Sequence, residues 1–256
     1  MLTYLVDSSY PPGEEAWKGS AVRRLKGYVS WVLTKINIKY KRMKRTIINL
    51  INNGINLSSD LNSILVGIML GDGSIYRSSP TSNARLEMSF GQKYEEFAFH
   101  LGDLLKEYMS NPVKCLEIKG KNNTYKNFRL KTKTLPLFAY YHDLFYECNS
   151  TGKYIKIVPK NIEELMDPIV LAYLIMTDGN FDKGRNRVRI YTNSFKKAEV
   201  ENLAVAINNK LGIYAGVLHD RNDQWIITIG AKYLSLLREI VSPHFHKSML
   251  YRIGIH

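Results

Sequence analysis

The sequence predicts an α+β protein built from two copies of one unit, and three observations carry that expectation. An apolar helix running into Asp-Gly occurs twice: Leu61–Leu70 followed by Gly71-Asp72-Gly73, and Pro168–Met176 followed by Thr177-Asp178-Gly179. The copies lie roughly a hundred residues apart, too far for a solenoid repeat and right for two small subdomains. The elements after each copy come in the same order, so each half reads αββαββα. Two such halves imply a pseudo-twofold molecule.

Composition bounds the rest. A chain of 256 residues, 45% hydrophobic and 11% aromatic, can bury a sizeable core, which excludes a mostly disordered protein. Lys and Arg number 36 against 23 Asp and Glu, and the net charge of +13 points to a polyanionic partner. Two cysteines, Cys115 and Cys148, make neither a disulfide framework nor a Cys-rich zinc site, so a reducing compartment is expected. The longest apolar stretches, Ile64–Leu70 and Ile169–Met176, fall far short of the ~20 residues that span a bilayer. Met1–Asp7 lacks a basic region followed by a longer apolar one, so no secretory signal is expected.

Residues 1–59 read as a basic extension. No acidic residue falls between Ala16 and Ser59, while ten cations do, from Lys18 to Arg45. Such a run is either a solvated face or a phosphate-tracking arm. Pro11-Pro12-Gly13 and Asn52-Asn53-Gly54 break the segment, with a helix expected over Val29–Leu50. Its Arg-rich, acid-poor character also allows an organellar targeting role.

The first subdomain is expected over 60–165. After its apolar helix come strands at Ser74–Arg77 and Arg85–Phe90. An amphipathic helix follows, with Phe97, Leu101, Leu104, Leu105 and Met109 at helical spacing. Val113–Lys119 and Tyr125–Lys131 read as a hairpin across Gly120-Lys121-Asn122-Asn123, and a helix over Leu135–Glu147 closes the unit. The second subdomain, 166–256, repeats this. A strand around Phe181 and one at Arg187–Tyr191 precede a helix carrying Val200, Leu203, Ala204, Ile207 and Leu211. A hairpin of Tyr214–Leu218 and Trp225–Ile229 precedes a last helix over Lys232–Val241.

The strands alternate. Arg187, Arg189 and Tyr191 fall on one face with Val188 and Ile190 on the other, and Tyr125, Asn127, Arg129 and Lys131 alternate similarly, with Lys126 spoiling the apolar side. A sheet with one solvated face is ordinary. In so basic a chain, the same face suits a β-ribbon reader of the DNA major groove. The candidate contacts are Arg187, Arg189, Tyr191, Tyr125, Asn127, Arg129, Lys131, Arg77 and Lys183.

Leu65–Gly73 and Leu171–Gly179 resemble the paired nonapeptides of the LAGLIDADG homing endonucleases, in their single-chain, intron-encoded branch. Gly67 and Gly71 lie four apart on one helix face and permit close approach of a second backbone. Gly73 and Gly179 occupy positions where a left-handed helix cap is expected. Aspartates at helix C-termini are disfavoured by about 0.3–1 kcal/mol, and two brought together repel; a divalent cation between them removes both penalties. Mg²⁺, with Mn²⁺ as substitute, is therefore expected on Asp72 and Asp178, with Gly71 and Thr177 beside them in the metal's shell. Tyr173 and Thr177 stand where the family prefers small residues, so an asymmetric helix pair is expected.

The resemblance further implies two αββαββα subdomains forming a saddle of antiparallel sheets with paired central helices, in a monomer that cuts one phosphodiester per strand of a long double-stranded DNA target. It implies a basic residue late in each half, Lys156 and Arg252, with Lys153 and Lys247 as neighbours able to substitute, and water- or phosphate-positioning roles for Gln92 and Asn193. Two other readings stay open: an RNA-binding maturase acting on its host intron, and a DNA-binding regulator without catalysis. His100 is expected to be packed, and His244 and His246 to be structural or phosphate contacts. A Lys-, Asn- and Ile-rich composition suits an organellar gene.

Overall fold

The computed structural model describes Ser30, residues 57–119 and residues 123–255. The basic run expected in the first 59 residues, its helix over Val29–Leu50 and the hairpin tip 120–122 lie outside the described residues, apart from helical Ser30. Asn56–His256 make one compact unit.

Helix α1 (Ser59–Leu70) is started by Ser58, whose hydroxyl accepts the Leu61 N–H. The chain turns into β1 (Ser74–Arg77) and β2 (Ala84–Gly91), crosses in α2 (Glu95–Leu104), and returns as the hairpin β3 (Lys114–Lys119) and β4 (Thr124–Lys131). Helix α3 (Pro136–Phe145) follows. It is shorter than expected at both ends. Leu135 is extended, as a residue before proline prefers, and Tyr146 is already in a strand conformation. That strand was not anticipated: β5 (Tyr146–Cys148) and β6 (Tyr154–Lys156) form a two-stranded hairpin that delivers Lys156. A short α4 (Ile162–Leu165) leads to the second copy.

Helix α5 (Pro168–Asp178) begins with proline at its first position and Asp167 as cap, which accepts the Val170 N–H at 2.8 Å and also receives the Ser63 hydroxyl of α1. Then come β7 (Gly179–Asp182), β8 (Arg187–Ile190), α6 (Lys197–Leu211), β9 (Gly216–His219), β10 (Trp225–Ile229) and α7 (Ala231–Val241). The two four-stranded sheets have the same antiparallel order, β1-β2-β4-β3 and β7-β8-β10-β9.

The duplication also fixes where the core lies. α1 and α5 are apolar on nearly every side because each packs against the other and against its own half, and a helix apolar all round must be buried. Leu65, Val66, Ile68 and Met69 of α1, and the whole run Val170–Thr177 of α5, are buried. Around this centre, α2 contributes Phe97 and Leu101, α6 contributes Leu203 and Ile207, and the apolar sheet faces contribute Leu86, Phe128, Val188 and Ile227. The polar faces of both sheets are left uncovered by these helices.

Candidate active site and nucleic-acid face

The helices α1 and α5 meet at the glycines of α1. A Cβ on Gly67 would stand 2.7 Å from the Val170 carbonyl oxygen, and one on Gly71 would stand 2.0 Å from Thr177 Oγ1 and 3.4 Å from Asp178 Cγ. Close approach therefore survives the larger side chains on α5, because Gly67 and Gly71 leave the space that Tyr173 Cβ and the Thr177 side chain occupy. The Tyr173 hydroxyl lies 2.9 Å from His100 Nε2 on α2. The Thr177 hydroxyl bonds back to the carbonyls of Tyr173 and Leu174 in its own helix. Thr177 is 4% exposed and its hydroxyl is committed to the helix, which leaves its carbonyl as the group it could offer a metal.

This packing brings the two acids together. Asp72 sits exposed in the turn after α1, Asp178 is the last residue of α5, and the two carboxyls lie close enough to interact. Burial, then the neighbouring Asp72 carboxyl, push the Asp178 carboxyl up to about 7, against the pull of Lys156 and Arg252. Two neighbouring carboxylates at helix ends repel each other despite these cations, the setting in which a hard divalent cation displaces a proton. Among the described residues no group of three or more His, Cys, Asp or Glu side chains gathers for a metal, so this pair of acids would need phosphate, water or carbonyl oxygens to complete a shell.

The two basic residues named from sequence do reach this centre, but through the backbone. Lys156 Nζ donates to the carbonyls of Gly71 and Gly73, the latter at 2.8 Å, so it clasps the turn that carries Asp72. Burial lowers its ammonium to about 8, with Asp178 and then Asp72 raising it in part. Arg252, in the 3₁₀ segment Lys247–Ile253, donates to the Gly179 carbonyl and, at 3.0 Å, to the Tyr94 hydroxyl. Its Nε is buried without a partner. Lys153 and Lys247 are exposed.

The left-handed caps predicted at Gly73 and Gly179 are not there. Gly179 is extended (φ −85°, ψ 158°), and positive φ among the described glycines occurs at 152, 212 and 254 instead. Glycine is needed for space: a Cβ at Gly73 would lie 2.7 Å from the Ile68 carbonyl oxygen, and one at Gly179 2.5 Å from that of Ile175. The chain folds back over the helix end directly into a strand, which is what holds each acid at the tip.

The sheet faces sort the groove candidates. On the first sheet, Tyr125, Arg129 and Lys131 are exposed, and Arg129 lies opposite Lys114 and Ser89 in register. Asn127 accepts the Ser89 hydroxyl at 2.8 Å, and Lys131 stands 3.6 Å from Glu87. A concavity of about 900 Å³ runs along this face, with Asp72, Lys114 and Arg129 in its wall. Arg77 is a correction. Its side chain is 5% exposed and is held by Asp143 at 2.7 Å and the Ser82 carbonyl, so it cannot reach a groove.

On the second sheet the arginines are already paired, Arg187 with Asp182 and Arg189 with Asp220, both at 3.0 Å. Tyr191 is exposed, and Lys183 stands exposed in the turn after β7. Gln92 is exposed at the end of β2. Asn193 donates to Asp220 and Gln224, an engagement no sequence pattern announced. His100 is half-buried and lies 4.7 Å, ring to ring, from His246. Sequence reasoning missed Tyr94, which links Arg252 to the first half, and Asp220, which organises the second sheet. Neither lies in a recognisable motif.

An acid pair at the tip of two paired helices, set between like antiparallel sheets, defines a class. The chain belongs to the LAGLIDADG DNA endonuclease family, whose model matches residues 62–237. Among solved structures it is similar to the homing endonuclease I-WcaI bound to its DNA recognition sequence, with a TM-score of 0.68 and 25% identity over 78% of this chain and 88% of that one. Among curated relatives it is 30% identical over 216 residues to the cytochrome b mRNA maturase bI2 of Saccharomyces cerevisiae, covering 79% of this chain and 49% of that protein. It therefore spans about half the length of that relative. It is 23% identical to the DNA endonuclease I-ChuI of Chlamydomonas applanata over 78% of this chain and 97% of that protein.

Proposed function

We propose that this protein is a site-specific, divalent-metal-dependent DNA endonuclease that hydrolyses one phosphodiester on each strand of a double-stranded target. The observation that carries the reading is the closeness of Asp72 and Asp178 at the paired helix tips, where a Cβ on Gly71, the neighbour of Asp72, would stand 3.4 Å from Asp178 Cγ. A regulator that used these acids only as helix ends would gain nothing from placing them together, because the arrangement costs stability until a cation fills it.

Mg²⁺ fits this donor set, with Mn²⁺ as substitute: one or two carboxylates, completed by phosphate and water. Asp72 and Asp178 would hold it, with the Gly71 carbonyl beside them. The ion would supply a water acidic enough to attack phosphorus and a charge to balance the leaving oxygen. The protein's own residues do the positioning. Lys156 fixes the Asp72 turn through two carbonyls, and Arg252 fixes the start of β7 at Gly179. The sheet faces hold the duplex, with Arg129, Lys131, Tyr125, Asn127, Arg187, Arg189, Tyr191 and Lys183 as contacts, and Gln92 lies at the end of β2. Both acids come from one chain, so a monomer suffices, with 60–165 and 166–256 serving the two half-sites and the basic first 59 residues as an extension.

The test uses the full chain on a plasmid library of random targets, with Mg²⁺ or Ca²⁺. Cleavage enriched for one sequence in Mg²⁺ is expected, and Asp72→Asn or Asp178→Asn should each reduce it at least a hundredfold while binding persists. Metal-indifferent binding without cutting overturns the reading. The maturase named among the relatives favours a second activity on intron RNA, which splicing of a precursor transcript in the presence of the chain would reveal. The same relative, with its cytochrome b transcript, supports an organellar home for the gene.

A further inference from the structure

The second sheet carries a side-chain cluster that the cutting site does not use. Asp220, at the end of the β9 strand, accepts from Arg189 Nη2 on one oxygen (3.0 Å) and from Asn193 Nδ2 on the other (3.2 Å). Asn193 also donates to Gln224 Oε1 at 2.9 Å, which receives Arg221 Nε at 3.4 Å. The Arg189 guanidinium lies 5.4 Å from the Tyr191 ring centroid, and its Nε is buried with no partner. Its side chain keeps 25% of its surface exposed. Arg189 and Asn193, at the end of β8 and just beyond it, therefore converge on one carboxylate some thirty residues away, and Gln224, from the turn that carries Asp220, is tied in through Asn193.

We propose that Arg189, Asn193 and Gln224, locked together by Asp220, form a preorganised base-reading cluster whose arginine recognises one guanine in the half-site under the second sheet. The inference rests on the DNA-cutting function proposed above and names part of its specificity. Three physical points support it. A carboxylate on a DNA-facing surface repels phosphates, so Asp220 belongs there only if its charge is spent on neighbours, as both its oxygens are. An Arg–Asp pair is close to neutral, so it is poor at tracking the backbone, whereas base edges are read by directed hydrogen bonds. The bonds of the cluster engage neither Arg189 Nη1, nor the Asn193 carbonyl oxygen, nor the Gln224 amide nitrogen, a mixed set of donors and acceptors. Arginine on guanine O6 and N7 is the commonest specific contact in the major groove. Fixing the guanidinium beforehand spares the ordering cost at binding.

The experiment first selects the target of the full chain from random duplexes in Ca²⁺, which suppresses cutting. Binding to every single base-pair substitution of that target is then measured for the wild type, Asp220→Ala and Arg189→Lys. The wild type should reject non-guanine at one position by roughly 5- to 150-fold, the range of a bidentate arginine contact. Both variants should lose that preference at the same position, to under about threefold, and leave the other positions unchanged; Arg189→Lys should also leave the salt slope unchanged, whereas Asp220→Ala, which frees a cation, should steepen it by up to about one. Arg189→Lys keeps the charge and the Asp220 partner, so it still decides the matter if Asp220→Ala fails to fold. A uniform loss over all targets with a shallower salt slope makes Arg189 a phosphate clamp and overturns the inference. So does a variant profile identical to wild type. If the wild type enriches no sequence at all, the DNA reading itself fails, an outcome distinct from either.

Discussion

The two halves reach one acid pair by different routes. In the first, α1 stops at Leu70, Gly71 makes room, and Asp72 projects from an exposed turn held by Lys156. In the second, α5 runs on through Asp178 itself, which is partly buried, and Arg252 grips only the Gly179 carbonyl on this half. The glycines that allow close approach are all on α1, while α5 contributes Thr177 with its hydroxyl folded inward. A pseudosymmetric backbone thus does not need symmetric side chains. One helix supplies the gap and the other supplies the bulk.

The comparison breaks most sharply at Gly71. Gly71→Ala places a methyl 2.0 Å from Thr177 Oγ1 and should separate the helix tips. Overpacking of this kind costs about 1–3 kcal/mol, and cleavage should fall at least a hundredfold because the acids no longer share a site. Gly91→Ala is the control. Its Cβ meets nothing within 4 Å, so denaturant midpoints and cleavage should stay near wild type. Equal effects at both positions would show that the glycines matter only for backbone freedom.

Next in size are the two cations. Lys156→Met leaves the Gly71 and Gly73 carbonyls without their partner, at a cost of about 1–3 kcal/mol for an unsatisfied buried group, and loosens Asp72. Arg252→Met removes the Gly179 and Tyr94 bonds and loosens the start of β7. Strand-resolved nicking assays should show each variant impairing one strand more than the other, with opposite preferences. Equal loss on both strands would mean that the cations serve the pair jointly.

The acids themselves predict a pH effect. The folded-state Asp178 carboxyl, near 7, lies above its ordinary 3.8, so the folded chain holds that proton more tightly than the unfolded chain. The stability this contributes is complete below about pH 4 and is lost as pH rises through 7. Lys156, near 8 against 10.5, has the opposite shift direction, and the cost of burying its charge is relieved as pH rises past 8. A divalent cation must displace the Asp178 proton. The rise in melting temperature on adding Mg²⁺ should therefore be small near about pH 5.5 and grow to about pH 8, and Asp178→Asn should abolish that growth. A Mg²⁺ shift independent of pH would remove the Asp178 proton from the account.

Much of this was legible in sequence because it is local. Alternation at period 2, helical spacing, and Asn-Gly or Pro breakers placed every strand of both four-stranded sheets within a few residues, and the repeated Asp-Gly endings placed both acids. What failed was set by partners distant in the chain. Arg77 was read as exposed because its strand alternates, yet Asp143, on α3, captures it. The hairpin carrying Lys156 has strands of three residues, too short for any period to register. The left-handed caps failed because glycine's two virtues, conformational freedom and small size, look alike in sequence. Only the packing of Ile68 and Ile175 against the returning chain tells them apart.

The smallest expected effect separates the sheet faces. On the first sheet, Arg129 has no ion pair among the described residues and stands across from Lys114, so its charge is available to a phosphate. On the second, Arg187 is held by Asp182 at 3.0 Å. Each phosphate neutralised by a free cation contributes roughly 0.9 to the slope of log affinity against log salt on duplex DNA. Arg129→Ala should therefore flatten that slope by about one, with weakening similar on every sequence. Arg187→Ala should flatten the slope less, because Asp182 already balances that charge in the free protein. Filter binding in Ca²⁺ from low to moderate salt measures both. If the two slopes flatten equally, the ion pairs of the second sheet open on DNA, and the two faces differ only in the free protein.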